Sequence, residues 1–290
     1  MNNLDNKIIL GTVQFGIDYG INNVSGIPPI ETIKKILDFA HSNNILTLDT
    51  ADAYGSATHT LGLYLRETDN IFKINTKFKK ADTSLKRQLD ETLSILPIEN
   101  INTYFFHNFE DFKRGHDLLQ ELIELKNCNL INKIGLSVYD NNEFREAISC
   151  PDIDVIQFPF NLLDNYNHRG KLIKQAKENG KELQVRSVFL QGLFFKNITS
   201  VPHSLQALIP YLKRIKNITE NNNISIEELA LGYALRQREI DNLIIGVDNL
   251  EQIKRNVEMA EKTINSDIVK QIDDIKVMET ELLYPKNWKI

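Results

Sequence analysis

At 290 residues, with 42% hydrophobic and 25% charged residues, the chain has globular composition and apolar content enough for a sizeable core, which argues against a disordered protein. A formal net charge of −5 with both signs interspersed excludes the clustered basic footprint of a nucleic-acid or acidic-membrane binder; the runs Lys77-Phe78-Lys79-Lys80 and Lys254-Arg255 read as solvated faces, Lys77 apart. Residues Met1 to Lys7 lack the apolar stretch of a signal peptide, and no run of about 18 apolar residues follows, so a cytoplasmic protein with no membrane partner is expected.

Taken in chain order, short apolar runs alternate with segments of helical period. Ile8-Ile9-Leu10 predicts a first strand that gives out at Gly11 and Thr12, and Ile30 to Ser42 a helix. The second strand, Ile45 to Leu48, ends at Asp49, with Tyr54 five residues on; the third, Ile71 to Thr76, runs into Lys77. In Ser84 to Leu96 the leucines Leu85, Leu89, Leu93 and Leu96 fall on one helical face. A fourth strand, Thr103 to Phe106, ends at His107 and precedes a helix over Asp111 to Asn127. Lys133 to Leu136 ends at Ser137 before a helix over Asn142 to Ser149, and Val155-Ile156 ends at Gln157 before one over Asn165 to Asn179, which Gly180 closes. Leu183 to Val185 runs out at Arg186 and Ser187; Ser225 and Glu228 form a capping box for a helix to Arg238. The eighth strand, Leu243 to Ile245, ends at Gly246, and Asn249 to Lys262 is the last helix of the series.

Eight strands with helices between them, and no linker or low-complexity tract, predict a single-domain (β/α)8 TIM barrel over residues 1–290. No G-x-G-x-x-G follows the first strand, which argues against a doubly wound dinucleotide-binding sheet. Cys128 and Cys150 have neither C-x-x-C spacing nor a paired histidine, so neither a disulfide framework nor a metal site is expected.

In such barrels chemistry sits where the strands run out into loops, and each exit here carries a glycine or a polar residue. A phenol is a weak acid at neutral pH, with a pKa of about 10, until a cation stabilises its phenolate. Lys77 can supply that charge, Asp49 can hold the ammonium, and Tyr54 then serves as general acid. His107 can orient or donate to a carbonyl oxygen. Each is ordinary alone: a solvated lysine, a turn-capping aspartate, a core histidine, a loop aromatic. Together at three successive exits they suit protonation of a carbonyl oxygen as hydride reaches its carbon.

The ordered segments LGT (10–12), LDTADAYG (48–55), NTKF (75–78), YFFHN (104–108), IGLS (134–137), VIQFPFN (155–161), RSVFLQG (186–192) and LEQIKRN (250–256) resemble an aldo-keto reductase along nearly the whole chain. The resemblance implies an enzyme that reduces a small-molecule carbonyl to an alcohol with NADPH or NADH, and a catalytic tetrad of Asp49, Tyr54, Lys77 and His107. It implies cofactor contacts from Gly11 and Thr12, from Ser137 and Gln157 on the nicotinamide carboxamide, from Arg186 where many members stack a tyrosine, and from Ser187, Phe189 and Gln191 beneath the pyrophosphate. At the adenosine end it implies Gly246, Asp248, Gln252 and Asn256, with Glu251 also on the adenine side. Gly246, Val247 and Gln252 stand where one large branch has the Lys, Ser and Arg that grip the 2′-phosphate, so NADP is the family default and NAD an equal alternative; Lys254 or Arg255 would have to reach that phosphate.

The long opening loop, Gly11 to Gly26, is similar to a branch found among bacterial surface-polysaccharide genes, which implies a sugar-like carbonyl. The tail, residues 276–290 with Tyr284 and Trp288, is expected over the barrel mouth. A cofactor-binding regulatory subunit with little turnover is the alternative that the resemblance leaves open, and a sugar-phosphate isomerase or lyase a third reading of the same fold.

Overall fold

A computed structural model describes residues 7–78 and 83–288. The start Met1 to Asn6, Lys79-Lys80 and the last two tail residues lie outside the described residues. Eight parallel strands close into a barrel in chain order: β1 Ile8–Gly11, β2 Thr47–Asp49, β3 Lys73–Phe78, β4 Ile101–Phe106, β5 Ile131–Ser137, β6 Val155–Pro159, β7 Glu182–Arg186 and β8 Asn242–Gly246. Their near-continuous apolar runs suit strands covered on both faces; every residue of β1 and of β6 is buried. The helices packed outside are α1 Ile30–Ser42, α2 Ala57–Leu65, α3 Leu85–Ile95, α4 Phe109–Arg114, α5 His116–Asn127, α6 Asn141–Ser149, α7 Tyr166–Glu178, α8 Ile209–Asn222, α9 Ile226–Leu235, α10 Leu250–Ala260 and α11 Ser266–Asp273. This is the (β/α)8 barrel expected.

The third strand is shifted by two residues from its expected place. Ile71 is 82% exposed whereas Lys77 is 1% exposed, so the lysine belongs to β3 and its ammonium to the barrel interior. The helix expected over Asp111 to Asn127 is broken: Asn108 caps α4 by accepting from the Asp111 amide, and at Gly115 a Cβ would stand 2.5 Å from the Asp111 carbonyl oxygen. Helices α2, α8 and α11 were not expected. The capping box of α9 is present, Ser225 accepting from the Glu228 amide at 3.1 Å. Among the described residues no helix is long and apolar enough to cross a membrane.

Candidate active site

The register of the barrel brings the strand ends together. Gly11 pairs with Asp49, Asp49 with Asn75, Ser137 with Gln157, and Gly11 with Gly246. On this rim Lys77 Nζ donates to Asp49 Oδ1 at 2.5 Å and to the Thr50 carbonyl at 3.3 Å, and Gln157 Nε2 donates to the other carboxylate oxygen at 2.9 Å. Both members of the ion pair are buried. Burial pulls the Lys77 ammonium down from its ordinary value, and the Asp49 carboxylate opposes that pull. Thr12 donates from both its amide and its hydroxyl to the Asp49 carbonyl, each at 3.0 Å, tying the first loop to the end of β2.

Tyr54 lies in the turn after β2, and two glycines set its place. Gly16 packs so closely on this turn that a Cβ there would stand 1.9 Å from the Tyr54 carbonyl oxygen. Gly55, at φ +55°, has the left-handed backbone that glycine adopts without strain. The Lys77 ammonium is 5.3 Å from the centre of the Tyr54 ring, and the His107 ring meets that ring edge-on at 6.0 Å. Among the described residues the Tyr54 hydroxyl makes no hydrogen bond, and the residue lines the central cavity.

The electrostatics keep the acid loaded. Burial pushes the Tyr54 phenol above its usual range, the Asp49 carboxylate adds to this, and the Arg186 guanidinium pulls the other way. His107 is pushed down to about 4 by burial, with the Lys77 and Arg186 charges adding to it. At neutral pH the ring is therefore uncharged, with one N–H donor and one acceptor.

A cavity of about 530 Å³ opens on these residues. Asp49, Tyr54, Lys77 and His107 all line it, as do Gly11, Thr12, Ser137, Gln157, Arg186, Ser187, Phe189, Gln191, Gly246, Asp248, Gln252 and Asn256. Arg255 lines it too, paired with Glu227 at 2.7 Å, whereas Lys254 and Glu251 stay off the wall and pair with each other at 2.9 Å. Gln252 accepts from the Asp248 amide and donates to its carboxylate. Among the described residues two buried acceptors on the wall, Gln14 Oε1 and Asp248 Oδ1, have no hydrogen-bond partner, an expense for any buried polar atom that a ligand with N–H or O–H donors would remove. Burial raises Asp248 above the usual carboxylate range. Among the described residues no group of three or more His, Cys, Asp or Glu is placed to hold a metal ion.

Several wall residues escaped the sequence reading. Tyr19 accepts a hydrogen bond from Gln191 at 2.9 Å, and Asn22 donates to the Gly192 carbonyl at 2.6 Å, so the long first loop crosses to the loop after β7. Tyr139, two residues past Ser137, and Lys286 of the tail also line the cavity. An aromatic so near a strand exit was a usable signal. Nothing in the local sequence marks Glu227 or Lys286, which reach the wall only through tertiary packing.

The family model of the aldo/keto reductase family matches residues 7–277. The chain is similar to an NADH-specific methylglyoxal reductase of Escherichia coli, 26% identical over 60% of this chain and 58% of that protein. It is also similar to a pyridoxal 4-dehydrogenase of Microbacterium luteolum, 24% identical over 49% of this chain and 44% of that one; the matches thus span about half the length of these curated relatives. An aldo-keto reductase of Bacillus halodurans, solved in its holo form, has the same fold, with a TM-score of 0.75 at 20% identity over 93% of this chain and 92% of that one. With the barrel and its rim in place and the family model spanning nearly all of the sequence, the chain belongs to the aldo/keto reductase family.

Proposed function

We propose that the protein is an NAD(P)H-dependent reductase that converts an aldehyde or ketone to an alcohol, with Tyr54 as general acid. The observation that carries this is the free Tyr54 hydroxyl on the cavity wall beside the buried Asp49–Lys77 pair and the neutral His107. The raised phenol is protonated at neutral pH and can give its proton to the oxygen of a carbonyl. Lys77 lies close enough to favour the phenolate left behind, and Asp49 with Gln157 keeps the ammonium in place. His107 supplies a second donor to the same oxygen.

A nicotinamide cofactor, when bound, supplies the hydride. Ser137, Gln157 and Arg186 would border its nicotinamide, Ser187, Phe189 and Gln191 its pyrophosphate, and Gly246, Asp248, Gln252 and Asn256 its adenosine, with Gly11 and Thr12 at the floor. The unpartnered Gln14 and Asp248 oxygens support this, because a dinucleotide offers amide and hydroxyl donors. At the adenosine end the carboxylates of Glu227 and Asp248 weigh against an added phosphate, Arg255 weighs for it, and the relative named NADH-specific adds support for NADH. Either cofactor is therefore accommodated. The test is a fluorescence titration with NADPH and NADH, followed by cofactor oxidation with a panel of aldehydes. Binding with turnover is expected; binding without turnover would favour the regulatory reading, and no binding would overturn both.

A further inference from the structure

One ring at the cavity mouth carries two cations. The Arg186 guanidinium carbon lies 4.2 Å and Lys286 Nζ 4.1 Å from the centre of the Tyr139 ring, which keeps the two charges within roughly 8 Å of each other, and the electron-rich faces of one phenol offset only part of their repulsion. The arrangement is held from behind. Tyr284 meets the same ring edge-on at 5.9 Å, and the buried Arg169, paired to Asp164 through two bonds of 2.7 Å, donates to the Tyr139 carbonyl and to Asn141. The Tyr139 loop and the tail are thus fixed together.

Among the described residues neither Arg186 nor Lys286 is ion-paired to a carboxylate, and the one hydrogen bond of the Arg186 guanidinium goes to the Val138 carbonyl at 3.2 Å. The carboxylates of the wall are elsewhere: Asp49 is held by Lys77, and Glu227 and Asp248 stand by Arg255 and Gln252. The cavity is therefore polarised, with two unneutralised cations on its wall at Tyr139. The charge of Arg186 is felt at both Tyr54 and His107, which puts this cationic wall beside the reacting group.

We propose that Arg186 and Lys286 receive an anionic group of the substrate, so that the protein acts on small aldehydes or ketones carrying a carboxylate or a phosphate. This rests on the reductase reading of Tyr54. It leaves Arg186 free to border the nicotinamide, because a guanidinium can stack through a face while its edge N–H groups bind an oxyanion.

The test compares matched carbonyls: 4-oxobutanoate with butanal, and glyceraldehyde 3-phosphate with glyceraldehyde. The charged member of at least one pair is expected to lead by about 10- to 100-fold in kcat/KM, as charge-assisted hydrogen bonds allow, and the pair with the larger ratio identifies carboxylate or phosphate. Lys286→Met should cut that ratio about tenfold, and Lys286→Glu should cut it further. Calorimetric titration of glycerol 3-phosphate against glycerol, with and without oxidised cofactor, reads the same site without turnover, and thermal melts check that the variants fold. Ratios near one, or a Lys286→Met variant that changes both members alike, would overturn the proposal and leave the reductase reading standing. If no aldehyde turns over, that reading falls, and the titration alone decides whether the anion site exists.

Discussion

Replacing Lys77 with methionine isolates the charge beside Tyr54. The ammonium stands 5.3 Å from the centre of the phenol ring; at an effective dielectric of about 20 a unit charge at a separation of about that size favours the phenolate by about 3 kcal/mol, or about two pKa units. A proton about half transferred in the transition state feels about half of this, so carbonyl reduction at neutral pH should slow by about tenfold. The reverse reaction, which needs the phenolate as base, should have its alkaline limb moved up by about two units, since loss of a cation raises the phenol. The variant also leaves Asp49, 2% exposed, without its counter-ion, at a stability cost of about 3 to 5 kcal/mol unless the carboxyl takes up a proton. The Asp49→Asn, Lys77→Met double variant removes that cost and should be little worse in rate than Lys77→Met alone, because residues acting as one device do not add. The assay is a pH–rate profile in both directions with one aldehyde and its alcohol, with cofactor affinity as the folding control. An unchanged rate and an unmoved alkaline limb would show that Lys77 only fills the barrel.

Cofactor discrimination should be modest, under about 100-fold between NADPH and NADH, and Gln252→Arg should move it toward NADPH in a direct binding titration; a wild-type preference above about a thousandfold would reveal a phosphate clamp beyond Arg255. His107, neutral down to about pH 4, should leave the reduction rate flat through the usual histidine range. Because its native pKa lies below the unfolded value of about 6.5, stability should fall as pH drops from there toward 4, lost with His107→Gln and readable in thermal melts across that window. Gly16→Ala, whose Cβ would collide with the Tyr54 carbonyl, should destabilise by more than about 2 kcal/mol in urea unfolding and lower turnover with it.

The strands were legible because each is an apolar run ended by a residue of another kind, and the site was legible for the same reason: the polar residue that ends the run is the one on the rim. That rule misplaced the end of β3, since a lysine after Thr76 looks like the start of a loop unless its buried partner, Asp49 on the neighbouring strand, is known. Helix α2 escaped because Leu63, 58% exposed, sets an apolar residue away from the stripe of Ala57, Leu61 and Tyr64 and blurs the helical period, and α11 because it spans only Ser266–Asp273. The glycine contact that fixes Tyr54 joins two loops some forty residues apart in the chain, and the Lys286–Tyr139 contact joins the tail to the loop after β5. Neither leaves a periodic or local mark, so only the folded chain shows them.

The central claim is that the Tyr54 hydroxyl is the proton donor to a carbonyl, and Tyr54→Phe tests it most directly because it removes one oxygen and keeps the ring. Single-turnover reduction of 4-nitrobenzaldehyde by the cofactor-loaded protein should slow by on the order of 10² to 10⁴-fold, with cofactor affinity and melting temperature close to wild type. Reduction at the wild-type rate would contradict the account.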